Sequence, residues 1–162
     1  MMQYSDIIFG DQNEWEIASG VPHIPFEALD ADYEIAKEAY LEYFRKMHQL
    51  FPKCKKMLMA VRNQIASSHH TLSGLLYDAV EDQLYTTRIY DIEPIVDPMG
   101  VGDAFIAAYI HAHQKWGDKN QYCLDFSLSA SAIKNTVPGD QNLVTEEEII
   151  NNMTSSGGRI QR

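Results

Sequence analysis

The ten residues VDPMGVGDAF, positions 96–105, set two glycines directly before an aspartate at what reads as the start of a helix. Gly100 and Gly102 leave the backbone open to close approach. A helix that starts near Val101 leaves its first amides without internal partners. They form a small positive nest, and the helix dipole reinforces it. Such a nest suits a phosphoryl group whose charge must be stabilised during transfer. Asp103, one turn in, is placed to accept the proton of an attacking hydroxyl. Phosphoryl transfer asks for little beyond positioning, charge neutralisation and a base. A tight turn that simply opens a helix uses the same residues, and a lone Gly-x-Gly does not separate the two readings. No Gly-Lys-Ser/Thr follows, so this is not a Walker loop.

The flanking elements must position this loop. YSDIIF (4–9) reads as a short strand ended by Gly10, and DQNEWEIAS (11–19) as a short helix closed by Gly20. VPHIPFEAL is a proline-bearing loop, after which Asp30 can cap a helix. Ile35, Ala39, Tyr40, Tyr43, Phe44, Met47 and Phe51 share one face of that helix, and Pro52 stops it. KKMLMAVR (55–62) suits a buried strand, and NQIASSHH reads as a loop. TLSGLLYD (71–78) and LYTTRIYDI (84–92) read as an antiparallel hairpin about EDQ.

Beyond the glycines, Phe105, Ile106, Tyr109 and Ile110 mark a helix that runs to Gly117. Residues 120–135 form another, rich in small residues. Thr145 and Glu148 make a capping box for a last one. The order fits an α/β layer fold with part of a mixed sheet.

Bulk properties narrow the function. The chain has 162 residues, enough for one domain with a core. A net charge of -10 disfavours nucleic acid and anionic membrane surfaces as partners. No apolar run is long enough to span a bilayer, and the first residues, MMQYSDIIFG, lack the pattern of a signal peptide. Cys54 and Cys123 lie far apart without metal spacing, as expected of reduced thiols in the cytoplasm. His69 and His70 read as an exposed loop, and His111 and His113 as solvated helix positions.

DPMGVGDAF resembles the C-terminal signature of the PfkB, or ribokinase-like, carbohydrate kinases, typically Asp-Thr-x-Gly-Ala-Gly-Asp-x-Phe. The chain is more closely similar to 2-keto-3-deoxygluconate kinases. IIFGDQNEWE, MAVRNQIASSHHTLSGLLYD, SASAIKNTVPGDQNLVT and SGGRIQR carry that likeness in order. The resemblance covers about the second half of such a kinase. It implies the C-terminal portion of a three-layer α/β/α ribokinase-like fold. Residues 1–153 would form the nucleotide-binding half and 154–162 a flexible tail, with Arg162 at the family's own C-terminus.

Function is implied by the same resemblance. The activity would be ATP- and Mg2+-dependent transfer of a phosphoryl group to a hydroxyl of a sugar acid. Asp103 matches the catalytic base, and Gly100, Val101 and Gly102 the anion hole. Asp11 to Glu14 matches an Asn-x-x-Glu motif that organises magnesium and the phosphates. Arg62 through Ser67 matches a segment near the phosphates, Asn135 the far wall of the adenine pocket, and Asp97 with Gly139 a monovalent-cation site.

Three positions depart from the family: Asp11 for asparagine, Pro98 for threonine and Val101 for alanine. An extra charge at Asp11 repels phosphate unless a metal intervenes, and a β-branched Val101 restricts the loop. A half-domain of this kind is expected to self-associate or to bind a separate N-terminal half. A non-catalytic remnant that binds nucleotide, or only packs against a partner, is the alternative.

Overall fold

The computed structural model describes residues 2–25, 33–155 and 159–160. A mixed sheet runs in the order β1 (Ile7–Gly10), β2 (Lys56–Ala66), β3 (His69–Asp78), β5 (Tyr90–Ile92) and β6 (Arg159–Ile160). β4 (Gln83–Thr86) pairs with the lower half of β3. β1 lies parallel to β2, β3 antiparallel to β2 and β5, and β6 parallel to β5.

Alternation along β2 divides the core in two. Met57, Met59 and Val61 face Tyr40, Tyr43, Phe44 and Met47 of α2 (Lys37–Leu50) and Trp15 of α1 (Gln12–Ser19). Leu58, on the other face, packs with Phe105 and Tyr109 of α3 (Val101–Trp116), Leu124 and Leu128 of α4 (Asn120–Lys134) and Ile149 of α5 (Glu146–Thr154). Helices on both faces of a mixed sheet make the three layers expected, as part of a ribokinase-like fold. At the far end of the sheet Lys56 Nζ donates to Asp118 (2.7 Å) and Asn120 (2.6 Å), and Asn120 donates to Asp78 (2.8 Å). This tie fixes the start of α4 against β2 and β3.

Several local expectations change. α2 begins at Lys37 with Ala36 as an uncapped N-cap, so Ile35 precedes the helix; Asp30 lies outside the described residues. NQIASSHH is not a loop. β2 continues to Ala66, and only Ser67 and Ser68 turn. Along β2 the polar residues alternate, with Asn63 buried between exposed Arg62 and Gln64, while across the ladder His70 is buried opposite Gln64. LYTTRIYDI breaks at Thr87, whose hydroxyl donates to the Arg88 carbonyl (2.7 Å) and accepts from the Gly74 amide (2.8 Å). The side chain thus takes up a ladder amide, and the strand divides into β4 and β5. The capping box of Thr145 and Glu148 forms as read. Within the tail, Arg159–Ile160 pairs with β5; residues 156–158 and 161–162 lie outside the described residues.

Candidate active site

β1, β2 and β5 run in the same direction, so their carboxyl ends share one edge of the sheet. In open α/β sheets, ligand sites form at that edge. α1 follows β1 there, the Ser67–Ser68 turn follows β2, and the 93–100 loop leads from β5 into α3.

The loop is held by backbone bonds. Ile95 N–H donates to the Ser68 carbonyl (2.9 Å), and the amides of Val96 and Asp97 both donate to the Asn135 carbonyl (2.8 and 3.2 Å). The Asp97 carboxylate accepts from the amides of Met99 (3.0 Å) and Gly139 (2.8 Å). Those two amides, Met99 first, hold Asp97 below the usual carboxylate range, and the charge of Lys134 adds to them.

The two glycines of the loop do different work. Gly100 is the N-cap of α3 at φ 73°, and a Cβ there would lie 2.2 Å from the Asp140 carbonyl oxygen. Its left-handed backbone and that close approach both require glycine. Gly102 lies inside the first turn, and a Cβ there would meet nothing within 4 Å. The fold does not call for glycine at 102. A ligand approaching the backbone would.

No side chain caps α3, and its first intrahelical bond runs from Ala104 N–H to the Gly100 carbonyl (2.9 Å). The amides of Val101, Gly102 and Asp103 therefore precede the helical ladder and are available to an anion. Val101 is half-buried, and its carbonyl accepts from Ser131 Oγ (3.0 Å), which pins the turn to α4. Asp103 is exposed, and its carboxylate makes no hydrogen bond or ion pair among the described residues.

Beside this turn is a cavity of about 420 Å³. Ala104, Ala107 and Ala108 of α3 line one side, Phe126 and Ile149 form an apolar wall, and Asp140 stands at the mouth with Gly100 and Asp103. His111 and Glu146, at 2.7 Å from each other, also line it, and Lys115 bonds Glu146 at 2.6 Å. Lys115 and then His111 hold Glu146 below the usual carboxylate range. His111 is exposed, as expected, and also pairs with Glu146. The alanines at 104, 107 and 108 were the signal for this wall: they fall on one face of α3 and make room beside it.

The other expected residues are distributed around the edge. Asp11 and Glu14 form a capping box on α1: Glu14 N–H donates to Asp11 Oδ1 (2.8 Å) and Asp11 N–H to Glu14 Oε2 (2.9 Å). One oxygen of each carboxylate stays outside that box. Arg62 is exposed on β2 and shares the face of Leu58 by alternation, the face that α3 covers. Ser67 is exposed in the turn. Asn135 is buried, does not line the cavity, and donates its amide to the Ser131 carbonyl (3.0 Å). Its carbonyl holds the loop, so it acts from beneath.

These residues fit a nucleotide: uncommitted amides for phosphate, and a partly apolar cavity beside them within the size range of small-molecule sites. The free oxygens of Asp11 and Glu14 suit magnesium, which takes one or two carboxylates together with phosphate oxygens. The monovalent-cation site does not fit. Both Asp97 oxygens already accept backbone amides, Gly139 meets Asp97 with a donor, and a buried lysine, Lys134, supplies positive charge there.

The fold is that of part of a ribokinase-like α/β domain. The structure is similar to 2-dehydro-3-deoxygluconokinase from Thermotoga maritima, with a TM-score of 0.80 and 26% identity over 95% of this chain and 43% of that one. A PfkB family carbohydrate kinase from Listeria grayi matches at TM-score 0.76 and 24% identity, over 95% of this chain and 42% of that one. Arabidopsis thaliana ribokinase, solved with ribose and ATP, matches at 0.69 and 20%, over 96% and 43%. No protein-family model matches the chain, and no curated protein matches it. The resemblance to PfkB-type carbohydrate kinases is borne out, and the chain spans about 43% of the length of the first of these relatives.

Proposed function

We propose that this chain supplies the nucleotide site, anion hole and catalytic base for ATP-dependent phosphoryl transfer to a hydroxyl of a sugar acid such as 2-keto-3-deoxygluconate. Gly102 is the observation that carries the reading. It is a glycine that the fold does not need, next to an exposed Asp103 with an uncommitted carboxylate. The amides of Val101 and Gly102 would hold the transferring phosphoryl group, and Asp103 would take the proton of the attacking hydroxyl. The cavity along Ala104, Ala107 and Phe126 would take the nucleobase. Asp11 and Glu14 would hold magnesium, which would supply positive charge to neutralise the phosphates. The sugar acid follows from the likeness to the Thermotoga enzyme.

A second reading, a nucleotide-binding or partner-packing remnant, has its own support. Among the described residues β1 pairs only with β2, leaving one sheet edge open, and the chain spans well under half of its relatives. Calorimetry of the purified chain with ATP tests the nucleotide site, and an assay of phosphoryl transfer after an N-terminal half is added separates the kinase from a remnant that only binds nucleotide. Saturable, magnesium-dependent binding is the expected result and supports that site. A folded chain that takes up no ATP removes the kinase reading and favours the remnant.

A further inference from the structure

Lys134 ends α4 and is fully buried, at 0% exposure. Lysine is rarely found in such a place, because removing an ammonium from water is costly unless partners replace the water. An apolar residue would end the helix as well, so the charge calls for a reason.

Its surroundings give one. Nζ donates to the Val137 carbonyl (3.1 Å), three residues further along the same turn. The neighbouring Asn135 backbone carbonyl accepts the amides of Val96 and Asp97, and Gly139 N–H donates to the Asp97 carboxylate. The 134–139 turn therefore holds Asp97, and the Lys134 charge acts on that carboxylate without a direct ion pair. The next residue, Asp140, sets its carbonyl against Gly100 and so fixes the N-cap of α3. A positive charge that collects a carbonyl oxygen and offsets a carboxylate does what an alkali ion does in a loop of this kind. A second cation in the same turn would meet the ammonium as a like charge.

We propose that Lys134 is a built-in cation that holds the Asp97 turn in place of an exchangeable monovalent ion. It is a positioning residue, acting on the α3 N-terminus through the 135–140 turn. The inference leans on the proposed nucleotide site only for its consequence, that nucleotide binding is indifferent to potassium. The turn itself can be tested without nucleotide.

Thermal unfolding of the chain is measured in potassium, sodium and choline chloride at equal ionic strength. An ion bound specifically at about 100 times its Kd would raise the midpoint by roughly 5–10 °C. The parent chain is expected to show no potassium-selective rise, and Lys134→Ser a lowered midpoint that potassium, but not choline, partly restores. A potassium-selective rise in the parent overturns the proposal, because the ion would then have a site of its own. So does a Lys134→Ser chain that is folded but indifferent to the salt, or unfolded in all three, since no ion would then stand in for the ammonium. These readouts need no ATP, so a failure here is distinct from a failure of the kinase reading.

Discussion

On the proposed function, Asp103→Asn in this chain combined with the N-terminal portion of a solved relative is expected to lower turnover roughly 10²–10⁴-fold and to leave ATP affinity within about twofold. The size follows from what a positioned general base contributes, since asparagine keeps the shape and removes the proton acceptor. Affinity is spared because Asp103 is exposed, bonds to nothing among the described residues, and adds negative charge beside the anion nest. The fold loses only the favourable contact of a carboxylate with the start of α3, about 0.3–1 kcal/mol. Steady-state kinetics with calorimetry on the same preparation checks both halves. Unchanged turnover would remove Asp103 from the mechanism; lost ATP affinity would make it a binding residue instead.

Much of this site was legible in the sequence because its parts are local. The loop, the helix start at Val101 and the aspartate three residues past Gly100 lie within a few positions of each other, and backbone rules place them. What the sequence hid depends on contacts made at long range. The 63–70 segment looks like a loop because its residues are polar, yet pairing with β3 and β5 makes it strand. Asp11 and Glu14 carry a capping-box pattern, and the structure uses it as one. That structural duty stands beside any role with magnesium. Asn135, expected at the wall of the nucleobase pocket, does not line the cavity; its backbone carbonyl takes two loop amides. Nothing in local spacing shows that a buried residue acts through its backbone and not its side chain. Lys134 is the extreme case: its charge makes sense only once it bonds the Val137 carbonyl and acts on the Asp97 carboxylate.

Gly100→Ala and Gly102→Ala shift stability in opposite directions while both weaken ATP binding. At 100, alanine must adopt a left-handed backbone and its Cβ would lie 2.2 Å from the Asp140 carbonyl oxygen. Backbone strain alone costs about 1–2 kcal/mol, and displacing the turn adds to it. The melting midpoint should fall by roughly 5 °C or more for a domain of this size. At 102, alanine enters a helical turn with open space around its Cβ. It should stabilise the chain by up to about 1 kcal/mol, since glycine is a poor helix former. ATP affinity should nevertheless fall about tenfold or more, equivalent to about 1.4 kcal/mol, because the methyl group occupies the approach to the amides. Thermal melts followed by circular dichroism, with calorimetry on each variant, separate the two roles. A Gly102→Ala chain that is more stable and binds ATP as tightly as the parent would show that no ligand reaches that backbone. The two glycines would then serve only to turn the chain into α3.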